Sequence, residues 1–262
     1  MSRRQTEMVF AAAPRSAMKP VNVPSVGPRY WTALVLASAF GANTGDFAAH
    51  DLHLGHTLGL LPLAVIFAGI LVAEARSRVT TEAFYWFAIL TMRTAATNLA
   101  DLADHDLHVA PPVVMAVLAL ALAALVLTDR DPLARLAGTD RGVPVTDARY
   151  WLTMLVAGVL GTALGDYAAD DLGLEAGLAA VINLAILAAL LGLGRWSGFQ
   201  SKAAYWITVV AVRTAGTNVG DWLASRHGLG LGLALSTTLT GLAFGALVAL
   251  WRPRPALALH AA

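Results

Sequence analysis

The sequence predicts an all-α membrane protein of eight transmembrane helices. They form four parallel two-helix repeats with pseudo-two-fold and pseudo-four-fold symmetry about the membrane normal. Three observations carry this expectation. Apolar residues make up 57% of the 262 positions and charged residues only 13%, where soluble domains run near a quarter charged. Apolar stretches recur at about the twenty residues a helix needs to cross roughly 30 Å of hydrocarbon. Finally, a Tyr-Trp pair occurs four times (Tyr30-Trp31, Tyr85-Trp86, Tyr150-Trp151, Tyr205-Trp206), and sixteen residues after each tyrosine stands an aspartate: Asp46, Asp101, Asp166 and Asp221. The tyrosines are 55, 65 and 55 residues apart, so the second half repeats the first after 120 positions.

Each unit reads as two membrane helices. The first run from the Tyr-Trp pair to just past the aspartate, over about 30–50, 85–105, 150–170 and 205–225. A short polar turn follows, then a nearly featureless apolar helix over about 57–73, 111–128, 174–193 and 229–250. Pro111 and Pro112 suit a first helical turn, where the missing N–H costs nothing. A barrel is excluded, because it needs alternating segments of about ten residues and these runs are continuous.

The chain divides into a cytoplasmic N-terminal tail (1–28), a first half of four helices (29–128), a cytoplasmic linker (129–149), a second half of four helices (150–250) and a cytoplasmic C-terminal tail (251–262). The N-terminal tail carries Arg3, Arg4, Arg15 and Lys19 with no sustained apolar core, unlike a cleavable signal. In this arrangement fifteen of the eighteen basic residues fall on one side, which puts both termini in the cytoplasm. Two helices per unit make all four units point the same way, unlike inverted repeats. The formal charge of +1 speaks against a nucleic-acid partner. Zero cysteines exclude disulfides and thiol nucleophiles.

Polar residues concentrate at the far end. Nine of thirteen aspartates and six of seven histidines fall in the windows 46–56, 101–108, 166–171 and 221–227. Each repeated aspartate lies about 24 Å along its helix from the tyrosine. Asn43, Asp46 and His50 share a helix face, and Asn98, Asp101 and His105 repeat it. Asp166 with Asp170 is a carboxylate version; Asn218, Asp221 and Ser225 form the weakest copy. Four such faces around an axis would make a ring of oxygen and imidazole ligands, suited to a divalent ion of the manganese, zinc or iron type. The same groups could relay protons. Asp51, His53, His56, Asp104, Asp106, His108 and His227 read instead as turn and interface residues.

Arg93 and Arg213 each sit eight residues after their tyrosine, close to mid-membrane. Unmatched, the pair would cost roughly 5–7 kcal/mol, so a neighbouring helix or a backbone carbonyl should compensate them. They read as an inter-repeat tether, or as a gate or an anion contact. The Tyr-Trp pairs read as an aromatic belt at the cytoplasmic interface. Gly41/Gly45, Gly161/Gly165 and Gly216/Gly220 form G-x-x-x-G pairs that let helices approach closely. Thr97, Thr162 and Thr217 share one repeat position and could satisfy carbonyls or line a path. Since the second helices carry few polar groups, the first helices should be inner and the second outer.

With the four tryptophans and the Gly-Asp or Ala-Asp motifs at 45–46, 100–101, 165–166 and 220–221, the chain resembles a bacterial integral membrane family built from four tandem two-helix repeats of unknown function. The resemblance covers about 29–250 and implies a bacterial inner-membrane, multi-pass location; it carries no activity to transfer. Two departures stand out: Ala163 replaces the asparagine of the other units, and Ser225-Arg226 replaces the acidic or His-Asp pair.

The functional expectation is a transporter or channel-like protein for a small ion, a divalent metal cation or a proton-coupled substrate, and not an enzyme. Ion binding falls to Asp46, Asp101, Asp166, Asp221, Asn43, Asn98, Asn218, Arg93 and Arg213. Metal ligation falls to Asp46, His50, Asp101, His105, Asp166, Asp170 and Asp221. The expected partners are the lipid bilayer and the small ion, with further copies of the chain in a homo-oligomer as another candidate, and no nucleic acid. The alternatives are a membrane-embedded enzyme using metal-bound water, against which stands the absence of HExxH, GxSxG or a phosphate loop, and a non-catalytic scaffold or sensor.

Overall fold

A computed structural model describes residue 24 and residues 26–77, 81–129, 146–194 and 201–251. The N-terminal tail before residue 24, most of the 129–149 linker, the C-terminal tail beyond residue 251 and the basic residues Arg78 and Arg195 lie outside the described residues.

Among the described residues there are eight α-helices and no strands. Those that open the four units are α1 (Pro28–Asp46), α3 (Glu82–Asp101), α5 (Ala148–Asp166) and α7 (Lys202–Ala224). Those that close them are α2 (Gly55–Arg76), α4 (Pro111–Leu127), α6 (Glu175–Leu193) and α8 (Gly232–Leu250). Local chemistry starts each opening helix. Thr81, Asp147 and Ser201 accept backbone N–H bonds at the N-caps of α3, α5 and α7, and Pro28 takes the first turn of α1.

In three units the α-helix ends on the repeated aspartate and passes into one π-helical turn: Phe47–Asp51, Leu102–Asp106 and Tyr167–Asp171. Such turns are concentrated at functional sites. The fourth unit stays α-helical to Ala224, and it is the unit where the sequence departs at Ser225-Arg226. His53 and His108 stand at positive φ in the reversals that follow, with Gly173 at the equivalent place in the third unit. Their exposure there agrees with a turn role.

The opening helices form a closed ring, α1 against α3, α3 against α5, α5 against α7 and α7 against α1. Each closing helix packs on the opening helix of the next unit: α2 on α3, α4 on α5, α6 on α7, and α8 back on α1. The chain's last unit thus completes its first. Side chains follow the same cyclic order. Arg29 donates to Glu82 of the second unit at 2.7 Å and to the Val248 carbonyl near the end of α8 at 3.0 Å. Arg149, its counterpart, donates to the Leu125 carbonyl near the end of α4. Each arginine satisfies a carbonyl that a helix C-terminus leaves open and opposes its dipole.

Burial separates the two sets. The ring helices bury ten or more residues each, whereas α4 buries none and α2 only His56 and Gly59. Among the described residues four helices are long and apolar enough to cross a membrane: α2, α5 with its π turn, α6 and α8. The chain is a membrane protein. Ring helices such as α3 dilute their apolar character with Thr94, Thr97, Asn98 and Arg93, all buried within the bundle. Close approach is what the ring glycines provide. A Cβ on Gly216 would stand 2.3 Å from Ser38 Cβ, and one on Gly161 would stand 2.6 Å from Arg213 Cβ.

Candidate functional site: an acidic cavity above a sealed axis

The four ring helices bring residues at equal repeat positions to common levels, and the axis is read level by level. At the first level the four tyrosine hydroxyls meet. Tyr30 and Tyr85 are 2.7 Å apart, Tyr85 and Tyr150 2.8 Å, Tyr150 and Tyr205 3.0 Å, and Tyr205 and Tyr30 2.6 Å. Four protons serve four hydrogen bonds, so each hydroxyl donates once and accepts once. Each ring also packs on the next unit's tryptophan, Tyr30 on Trp86, Tyr85 on Trp151, Tyr150 on Trp206 and Tyr205 on Trp31. This corrects the aromatic-belt reading. The tyrosines and Trp86, Trp151 and Trp206 are buried, because the hydroxyls find partners in one another instead of in headgroups.

Eight residues further on stand Ser38, Arg93, Gly158 and Arg213. The small residues of the odd units leave room for the arginines of the even ones. Arg213 reaches all three other ring helices: Nε donates to Thr162 Oγ1 at 2.8 Å, Nη1 donates to the Ser38 carbonyl at 2.8 Å, and Nη2 donates to Thr97 Oγ1. The expected compensation by neighbouring helices and a carbonyl is therefore met for Arg213. Arg93 differs. Its Nη2 lies 3.7 Å from Met154 Sδ, while Nε and Nη1 are buried with no hydrogen-bond partner. Among the described residues neither arginine forms an ion pair.

At the next level come Ala42, Thr97, Thr162 and Thr217, and one turn beyond them Asp46, Asp101, Asp166 and Asp221. All eight line one cavity of about 420 Å³. The repeated aspartates, read from spacing as a common ring, thus share one space. His50, His105 and Asp170 line it as well. Arg93 and Arg213 do not; Arg213 lies beneath its floor, held by the two threonines that face the cavity.

The three asparagines take another part. Asn218 donates to the Gly165 carbonyl at 2.9 Å and accepts from Asn183 at 2.8 Å. Asn98 lies between Gly45 and Gly59, where added Cβ atoms would stand 3.0 Å from its Oδ1 and 2.6 Å from its Nδ2. Asn43 is set against Gly220 in the same manner. All three are fully buried between helices and lie outside the cavity lining. Ala163, where the asparagine is missing, does line it.

Two features depart from the sequence reading, which places His56 among the turn and interface residues. His56 is buried at the cavity edge, with Nδ1 3.3 Å from Asp106 Oδ2 and its ring 5.6 and 6.0 Å from those of His50 and His105. It has no counterpart in the other units, so repetition could not mark it. The tyrosine quartet is the second. Among the described residues no three His, Asp or Glu side chains stand close enough together to hold a metal ion; the acidic groups surround a space wider than a coordination sphere.

A family profile described as "Repeat of Unknown Function (DUF347)" matches residues 29–80, 149–198 and 204–253. The chain belongs to that family. The three matched segments are the first, third and fourth units; the second, α3 with α4, has the same two-helix form and closes the same ring. Neither a curated protein nor a solved structure matches the chain. Membership in this repeat family therefore fixes the architecture's kinship and leaves chemistry to the cavity.

Proposed function

We propose that the protein is a membrane transporter for a small cation. The carrying observation is that four repeat-equivalent aspartates line one cavity, which ends on the Arg213 layer and, beyond it, on the closed tyrosine quartet. Carboxylates partly withdrawn from water favour a cation over an anion by charge alone. Two guanidiniums on the axis oppose an open cation pore, so the arrangement supports a carrier with one side shut rather than a channel.

In this reading all eight helices span the bilayer and the four units point the same way. Tyrosine hydroxyls meeting at one level and aspartates at another favour that parallel order. The basic flanks put the tyrosine end and both termini in the cytoplasm, so the acidic cavity opens to the outside of the bacterial inner membrane.

The test is a flux screen in proteoliposomes with sodium, potassium, manganese, zinc and small ammonium ions, with chloride as the anionic control. A cation flux that the double variant Asp46→Asn/Asp166→Asn abolishes supports the reading. No flux for any cation, or a flux the variant leaves intact, overturns it.

A further inference from the structure

Within that reading, on which this step rests, the cavity also indicates the kind of cation. The aspartate layer holds four carboxylates, and the nearest buried cations are the two guanidiniums below it. Asp104, Asp170 and Asp171 line the same space, together with His50, His56 and His105. The acidic groups outnumber the two guanidiniums below, and this acidic remainder favours a ligand of positive charge.

The shape of the remainder matters as much as its size. A directly ligated divalent metal draws its donors to one point at about 2.0–2.5 Å, and no such group of three exists among the described residues. The carboxylates are instead spread around about 420 Å³. The same wall also carries apolar residues, Ala42, Ala100, Ala163, Val114 and Leu233, beside its histidines and threonines. A hydrated ion gains nothing from such a wall, whereas an alkyl segment does.

A further observation points to a ligand. Thr217 is 2% exposed, lines the cavity, and its Oγ1 has no hydrogen-bond partner. Its counterparts Thr97 and Thr162 are both engaged by Arg213. A buried hydroxyl left unpaired inside an acidic cavity is a ready acceptor for an N–H donor.

We propose that the cavity binds a short-chain organic dication, a diammonium whose two charged ends pair with carboxylates of different units while its carbon chain rests on the apolar wall and one N–H reaches Thr217. Each ammonium has three donors and no acceptor, which matches a lining of carboxylates and a free hydroxyl oxygen. Arg213 under the floor repels the ligand's charge, and so holds both ammonium groups at the aspartate level.

The experiment is calorimetric titration of the full-length protein in detergent or nanodiscs with three probes: diaminobutane, butylamine and manganese chloride. Diaminobutane should bind at least about tenfold more tightly than butylamine, the effect of one additional charge-assisted contact. In Thr217→Val affinity for the diamine should fall roughly three-fold while its preference over the monoamine remains. In Asp46→Asn/Asp166→Asn that preference should vanish. Equal affinity for diaminobutane and butylamine overturns the dication, as does manganese binding more tightly and displacing the diamine; both leave the cation reading standing. If no cation binds at all, both readings fall together. The wild-type comparison needs no variant to fold.

Discussion

Arg213 donates from Nη1 to the carbonyl oxygen of Ser38 at 2.8 Å, from the fourth unit to its neighbour in the ring, the first. The two residues occupy the same place in their units, eight positions after the tyrosine. The repeat therefore does not merely copy a residue; it uses the difference between copies to seal its own centre. A serine in one unit leaves the space and the carbonyl that an arginine in another fills.

From this follows a contrast between the two arginines. Arg213→Met removes three hydrogen bonds to three helices, and at about 0.6–1.7 kcal/mol each in membrane proteins the loss should be roughly 2–5 kcal/mol. Arg93→Met removes a guanidinium whose described polar contact is a thioether at 3.7 Å, and it relieves the cost of burying a charge. It should be close to neutral or stabilising. Thermal melting of both variants in one detergent checks this; equal losses would contradict the asymmetry.

The tyrosine quartet makes an arithmetic prediction. Removing any one hydroxyl breaks two of the four hydrogen bonds. Removing a neighbouring pair, as in Tyr30→Phe/Tyr85→Phe, breaks three, whereas the diagonal pair Tyr30→Phe/Tyr150→Phe breaks all four. Double-mutant cycles on stability should therefore show about 1 kcal/mol of coupling for neighbours and none for diagonals. Equal coupling for both pairs would mean that the ring is not closed as described.

Much of this architecture was legible beforehand, for a physical reason. Spacing and apolar length locate helices, and four-fold recurrence marks the aspartates, because equal positions on equal helices must reach equal levels. What recurrence could not show is where each side chain is aimed. Sixteen residues turn an ideal α-helix by about 160°, so a phase that sends Asp46 inward sends Tyr30 away. The quartet was hidden by that geometry, since only the packed ring brings the phenol oxygens to the axis. Asn43, Asn98 and Asn218 misled in the opposite sense. Three residues before the aspartate they share its face on a wheel, yet in the ring that angular offset is enough to carry them from the cavity into the helix–helix seam. His56 belongs to one unit only, so nothing periodic announced it.

Glycines at the seams should be intolerant in proportion to what they touch. Gly216→Ala would place a Cβ 2.3 Å from Ser38 Cβ and 3.0 Å from the Val35 carbonyl oxygen, between α7 and α1. Overpacking of this kind costs about 1–3 kcal/mol, and separating these helices would also disturb the Arg213 bond to Ser38. Gly69, on α2, has nothing within 4 Å of an added Cβ, and helix propensity favours alanine there by roughly 1 kcal/mol. Gly69→Ala should therefore be neutral to stabilising while Gly216→Ala lowers the melting temperature, both measured in the same detergent.

The threonine layer separates holding the arginine from lining the cavity. Thr97 and Thr162 each accept from Arg213 and each face the cavity, whereas Thr217 faces the cavity with its hydroxyl unengaged. Thr162→Val keeps the volume but removes the acceptor of Arg213 Nε, leaving a buried charged donor unpaired, and should cost about 1–3 kcal/mol of stability. Thr217→Val removes an unpaired hydroxyl from a buried place, and should leave stability unchanged or raise it slightly. Melting curves of the ligand-free variants decide the matter. If Thr217→Val destabilises as much as Thr162→Val, the hydroxyl is a structural partner within the bundle, and the level that separates the arginine from the aspartates is one uniform seam rather than a floor with one open contact.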